Sequence, residues 1–179
     1  MSIKKTMPEL ERLSAEAFVS SQKIPIIVVL DEVRSMNNVG SVFRTADAFR
    51  IEGIYLCGYT PTPPHRDIQK TALGATETVM WKHFATTDEA IASLQSSGYT
   101  ILCAEQTHGS IPLHTYPFET QKAYAIVMGN EVNGVQDAIL QQADACLEIP
   151  QLGSKHSLNV SVSAGIVLWE AVRPFLELL

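Results

Sequence analysis

The apolar positions of the chain fall into short continuous runs separated by amphipathic stretches. Residues 24–30 (IPIIVVL) form the clearest run, rich in β-branched side chains and of strand length. A strand that is apolar at every position is one covered on both faces, as in a parallel sheet. Similar runs occupy residues 53–57, 99–104, 124–128 and 145–149, with a weaker one at 78–81. Helical periodicity occupies residues 38–50, 87–97 and 134–142. A short amphipathic helix is predicted over 9–21, with Leu10, Leu13, Ala17 and Phe18 inward. Such alternation of strands and helices predicts an α/β fold, a mainly parallel sheet flanked by helices. The last apolar segment fits two periods. Leu158, Val160, Val162 and Ala164 alternate like a strand, whereas Leu158, Val162, Ile166 and Trp169 follow helical spacing. Its length favours a helix of about four turns, buried or at an interface. The Pro-rich stretch 59–66 (YTPTPPHR) reads as a surface loop rather than a domain linker.

With 179 residues the chain has the size of one domain with its own core. A hydrophobic fraction of 46% with 18% charged residues argues against global disorder. The formal net charge is −6, from 13 Lys and Arg against 19 Asp and Glu. That balance argues against a nucleic-acid-binding domain held by bulk charge. Cys57, Cys103 and Cys146 form no CxxC pair, which disfavours a disulfide framework or a zinc ribbon and suits buried, reduced thiols. His65, His83, His108, His114 and His156 show no i,i+4 pairing, so no metal site is expected. The start, MSIKKTMPEL, has no apolar stretch behind its lysines, and no run approaches the ~20 residues of a membrane helix. The cytoplasm is the expected compartment.

Open α/β sheets bind ligands at the carboxyl ends of their strands, so the loops that leave those ends are where chemistry is expected. Three stand out. After the first strand comes DEVRSMNNVGSVFRTADAF, in which Val39, Val42, Phe43, Ala46 and Phe49 form one stripe of a helix. Arg44 lies about 140° from the Val39 direction and points off the core. Asn37 or Asn38 is placed to cap that helix. The second loop is AIVMGNEVNGV, where Gly129 ends a strand and leaves its backbone open to a ligand, Glu131 sits in a turn, and Gly134 opens the next helix. The third is LEIPQLGSKHSLNVSVSAG, with Pro150 stopping the strand, Gly153 in a turn and Ser157 as a candidate cap. Asn159 is a polar residue in an apolar helix face, where an unsatisfied amide is costly. Lys155 and His156 read either as an anion-facing pair or as plain loop polarity.

Taken together, the stretches 38–46 (NVGSVFRTA), 128–135 (MGNEVNGV), 149–153 (IPQLG) and 157–162 (SLNVSV) resemble the motifs of the SpoU (TrmH-type) branch of the SPOUT RNA methyltransferases. They occur in the family's order, and the resemblance covers about residues 24–173. It implies the SPOUT fold, with a C-terminal deep trefoil knot, and a homodimer. It also implies S-adenosyl-L-methionine held by the knot loops and methylation of a ribose 2′-hydroxyl in tRNA or rRNA. Carried over by motif position, Arg44 is the catalytic arginine. Asn38, Glu131, Ser157 and Asn159 match the other polar active-site positions. Met128, Gly129, Ile149, Leu158 and Ala104 match positions around the cofactor, and no metal is involved. Residues 1–23 then form a short N-terminal helical arm and 24–179 the catalytic domain. The RNA is expected to be held by the catalytic dimer and that arm.

The chemistry suits these residue types. Methyl transfer from a sulfonium needs no acid for the leaving group, so the protein must orient the hydroxyl and deal with its proton. A guanidinium keeps its proton above pH ~12 and is a poor base by itself. Arg44 would therefore act either as a base, when desolvated and helped by an RNA phosphate, or as a cation stabilising the developing alkoxide. Asn38 would orient Arg44 or the ribose, and Glu131 would do the same or tune Arg44. Two other readings remain: a methyltransferase acting on an RNA base, and a non-catalytic protein that binds RNA or the cofactor. A nicotinamide oxidoreductase is disfavoured by the lack of GxGxxG. The acidic total does not exclude RNA, because placement outweighs the sum. Lys4, Lys5, Arg34, Arg44, Arg66, Lys70 and Lys155 fall in or beside the arm and the ligand-facing loops, while Glu89, Glu119, Asp137 and Glu177 lie elsewhere.

Overall fold

The structure, a computed structural model, describes residues 3–6, 9 and 12–178. Seven strands form one sheet in the order β3-β2-β1-β6-β4-β7-β5, and every pairing is parallel. The strands are β1 (Ile24–Asp31), β2 (Ile51–Cys57), β3 (Met80–Phe84), β4 (Thr100–Ala104), β5 (Ile111–Pro112), β6 (Tyr124–Met128) and β7 (Ala145–Glu148). The chain builds outward from β1 to β3, then crosses to β4 and inserts β6 between β1 and β4. The strand order therefore reverses beside β1, and a ligand crevice is expected at that point, outside the carboxyl ends of the strands.

The alternation of each strand supplies two cores. Ile26, Val28 and Leu30 face one side, with Val39, Val42, Phe43 and Ala46 of α2 (Met36–Ala48) and the inner face of α7 (Val160–Val172). Ile27 and Val29 face the other, with Ala90, Ile91 and Leu94 of α5 (Thr87–Ser96) and Ile139 of α6 (Asp137–Leu140). Each of the Val, Ile, Leu and Phe side chains among them, fully buried, contributes roughly 1.5–3 kcal/mol. The doubly covered strands read from sequence are present, and the ambiguous C-terminal segment is a helix.

Several expectations need correction. The N-terminal helix α1 spans only Ala15–Ser20; of its proposed inner face Phe18 is buried, whereas Leu13 and Ala17 are exposed. Leu10 and the Glu177 side chain lie outside the described residues. Phe18 enters the main core, and the Lys23 ammonium lies 4.1 Å above its ring, so α1 is packed onto the sheet domain. The helix expected over 134–142 is a single turn, because residues 130–135 are used by a loop. Two helices went unread: α3 (Arg66–Ala72) begins where the Pro-rich loop ends, and α4 (Ala75–Thr78) follows it. Cys57 and Cys103 are buried and free, and burial pushes the Cys57 thiol up to about 12. Cys146 is only half-buried. Among the described residues no helix is long and apolar enough to cross a membrane, and no cluster of His, Cys, Asp or Glu could hold a metal ion.

Candidate active site

A cleft of about 610 Å³ opens at the carboxyl ends of β4, β6 and β7. Three loops wall it: the one after β4, the one after β6, and residues 149–159 after β7. Eight of the ten residues assigned from sequence line it, namely Ala104, Met128, Gly129, Glu131, Ile149, Ser157, Leu158 and Asn159. Asn38 and Arg44 do not.

Asn38 is nevertheless wired to the cleft. Its Nδ2 donates to Glu131 Oε1 at 2.9 Å, and its Oδ1 accepts from Asn159 Nδ2 at 3.2 Å. Glu131 also accepts the backbone N–H groups of Arg34 at 3.1 Å and Ser35 at 3.2 Å. The carboxylate thus sits at the amino end of α2, where unpaired N–H groups favour negative charge. Burial alone would raise the Glu131 pKa, but the bonds from Asn38, Arg34 and Ser35 outweigh it, and the net value lies below the ordinary 4.5. These bonds hold the carboxylate in its charged form and fix the Asn38 amide against it.

The caps differ from those expected. Ser35, not Asn37 or Asn38, caps α2, its hydroxyl accepting from the Asn38 N–H at 3.3 Å. This frees the Asn38 side chain for Glu131 and Asn159. Asn159, not Ser157, caps α7, accepting from the Ser161 N–H at 2.9 Å and the Ser161 hydroxyl at 2.7 Å. The Asn159 amide is therefore satisfied, at the helix end rather than within an apolar face.

The loop after β6 is shaped by bonds that the sequence reading missed. Asn130 Oδ1 accepts the N–H groups of Val132 at 3.0 Å and Asn133 at 2.8 Å. Glu105 Oε2 accepts from the Val135 N–H at 3.0 Å, and Asp31 Oδ2 from the Gln136 N–H at 2.9 Å. Asp31 is fully buried, and its other oxygen takes the Thr87 hydroxyl at 2.6 Å and Gln136 Nε2 at 2.5 Å. Gly129 lines the cleft and is also required by its own loop. A Cβ there would collide with the backbone of Gly134 and Val135, which folds back over it. Gly134 does not open a helix: it bridges back to Asn130 with φ +70°, and α6 starts at Asp137. Glu105 and Asp31 both stand at the carboxyl ends of strands, the signal that could have found them.

Arg44 is exposed on α2, as its helical angle requires, and makes no hydrogen bond or ion pair among the described residues. It lies six residues beyond Asn38, about 9 Å along the helix and about 120° around it.

The model of the SpoU rRNA Methylase family matches residues 25–169. The chain belongs to this family. It is similar to a 23S rRNA (guanosine-2′-O-)-methyltransferase RlmB of Vibrio parahaemolyticus, 31% identical over 94% of this chain and 67% of that protein. An AdoMet-bound rRNA methyltransferase from Sinorhizobium meliloti superposes with a TM-score of 0.80 at 31% identity, covering 86% of this chain and 57% of that one. A TrmH/SpoU tRNA modifying enzyme from A. aeolicus gives 0.79 at 26%, covering 89% of this chain and 80% of its own. The SpoU-family chain described here thus spans about two thirds of the Vibrio relative and less of the Sinorhizobium one.

The cleft fits the cofactor named in the Sinorhizobium structure. Its volume lies within the roughly 300–1,000 Å³ usual for small-ligand sites. Ala104, Met128, Leu147, Ile149 and Leu158 offer apolar surface, and the carboxylates Glu105, Glu131 and Glu148 suit a ligand with sulfonium and ammonium charge.

Proposed function

We propose that this protein transfers a methyl group from S-adenosyl-L-methionine to a ribose 2′-hydroxyl of tRNA or rRNA. The observation that carries this reading is the Glu131–Asn38–Asn159 chain, which joins the start of α2 to the loops after β6 and β7 at the edge of a cofactor-sized cleft. The Vibrio relative bears the name of a ribose 2′-O-methyltransferase, which supports the same chemistry. When bound, the cofactor supplies a methyl on a sulfonium, a leaving group that needs no acid.

The chain's own residues orient and stabilise. Asn38 is held in one amide orientation, because Glu131 accepts from its Nδ2 and Asn159 donates to its Oδ1. Ser157 lines the cleft with an exposed hydroxyl able to contact the ribose. Arg44 lies outside the cleft of its own protomer; its assignment as the positive charge that stabilises the developing alkoxide rests on its position in the first motif. Met128, Gly129, Ile149, Leu158 and Ala104 enclose the cofactor.

The working unit we propose is a homodimer. Val162, Ile166 and Trp169 form an exposed apolar row on the outer side of α7, and Trp169 is 47% exposed. A row of that kind on an otherwise packed helix suits a self-complementary interface. The trefoil knot implied by the motifs is part of the proposal. It is supported by the 149–159 segment, which leaves β7 and returns across β4 and β6 to reach α2 through Asn159. Residues 1–23 are assigned to an arm and 24–179 to the catalytic domain, in the cytoplasm with its RNA. Deleting the gene and mapping 2′-O-methylation across tRNA and rRNA tests the function: one or more lost sites support it, and an unchanged map overturns it.

A further inference from the structure

The two flanks of α2 face different neighbours. Asn38 meets Asn159 of α7, and Phe49, about 20° from Asn38 around the helix, has its ring 6.0 Å from that of Trp169. Asp47, about 180° from Asn38, accepts from the Thr78 hydroxyl of α4 at 2.7 Å. Thr71 of α3 donates to the Asn37 carbonyl at 3.0 Å, fixing α3 beside the residue that precedes Asn38. The apolar row of α7 and the α3 surface therefore lie on opposite flanks of α2, and a dimer through α7 leaves α3 uncovered.

On that free flank the loop before α3 is anchored. Thr60 is buried, its hydroxyl donating to the Leu30 carbonyl and its N–H to the Cys57 carbonyl, both at 3.1 Å. These bonds pin the loop to the carboxyl ends of β1 and β2. Tyr59, directly before the anchor, is 81% exposed. A single exposed aromatic is ordinary; this one is held on a pinned loop at the carboxyl edge of the sheet, and the same loop leads seven residues later into the cations of α3. Arg66 and Lys70 are one turn apart on α3, opposite the buried Ile68 and Ala72. Both cations are exposed and neither forms an ion pair among the described residues. Asp67, the acid of that turn, points about 100° away from Arg66.

We propose that Tyr59 is a stacking platform for an unpaired base of the RNA substrate, with Arg66 and Lys70 holding the adjoining phosphates. The inference rests on the RNA-methyltransferase reading and adds which surface grips the strand and in what form. A phenol ring stacks on a base only when that base is out of a helix, whereas cations bind phosphates in either form. Tyr59 thus favours a loop or bulge over a duplex, while Arg66 and Lys70 supply affinity that salt weakens.

The test uses the full chain, a fluorescein-labelled single-stranded oligouridine and an RNA duplex of equal length, with cofactor binding followed by calorimetry. Tyr59→Ala is expected to lose roughly tenfold in affinity for the single strand and less than about twofold for the duplex, with Tyr59→Phe close to wild type. Arg66→Gln and Lys70→Gln are each expected to reduce the salt slope for the single strand by about 0.7. S-adenosyl-L-methionine binding is expected to be unchanged in all four variants. A Tyr59→Ala protein that binds the single strand like wild type, or loses both forms equally, overturns the platform and leaves the methyltransferase reading intact. A wild-type protein that binds the cofactor but neither RNA overturns the platform together with the RNA reading beneath it.

Discussion

Asn38 and Asn159, 121 residues apart in sequence, meet through a hydrogen bond of 3.2 Å in which the amide of Asn159 donates to the side-chain carbonyl of Asn38. That bond closes a chain begun by Glu131, which accepts the other end of the same Asn38 amide. Asn38→Asp tests the chain directly. A carboxylate in place of the amide cannot donate to Glu131 and faces it as a like charge. Methyl transfer is expected to fall by about 10² or more, with cofactor affinity within a few-fold of wild type. Transfer at the wild-type rate would remove Asn38 from the site.

Glu131 carries a pH signature. Its folded pKa lies below the ordinary 4.5, because the bonds from Asn38, Arg34 and Ser35 outweigh the effect of burial. A depressed folded value gives stability that is complete above the unfolded pKa and is lost as pH falls through the folded one. Wild type is therefore expected to lose this increment on acidification below pH about 4.5. Glu131→Gln has no such proton to take up. Its deficit relative to wild type is greatest near neutrality and shrinks below that pH. Denaturation midpoints across the acid range check this; a constant difference contradicts it.

The loop after β6 predicts two stability losses. Gly129→Ala places a methyl against the Gly134–Val135 backbone and is expected to cost about 1–3 kcal/mol, with weaker cofactor binding. Asp31→Ala removes the acceptor of three hydrogen bonds in a buried position, and about 3 kcal/mol is expected. Calorimetric unfolding measures both. An Asp31→Ala protein as stable as wild type would show that the buried carboxylate does not hold the loop.

Much of this was legible in the sequence, and the reasons differ by element. The β1 run could be read because a strand covered on both faces has no polar positions, and Arg44 because helical spacing puts it outside the Val39–Val42–Phe43 stripe. The motif resemblance brought eight residues to the cleft that actually line it. What escaped was decided by long-range bonds. The Asn38 side chain is not the cap of α2 but is engaged with Glu131 and Asn159 across the sheet edge, and Ser35 takes the cap. The helix expected from residue 134 was shortened because Asn130, Glu105 and Asp31 capture the N–H groups that precede it. No local propensity reports such partners.

The dimer is tested by charge. Ile166→Glu on the exposed side of α7 is expected to yield a folded monomer by light scattering, with transfer reduced. A variant that remains dimeric would move the interface away from α7.

Ribose methylation is read out by incubating the protein with methyl-labelled S-adenosyl-L-methionine and total tRNA and rRNA, then digesting to nucleosides for mass spectrometry. Label is expected on the ribose of a 2′-O-methylnucleoside, and none with Arg44→Ala although that variant still binds the cofactor. Label on a base, or equal ribose methylation by Arg44→Ala, would contradict the proposed function.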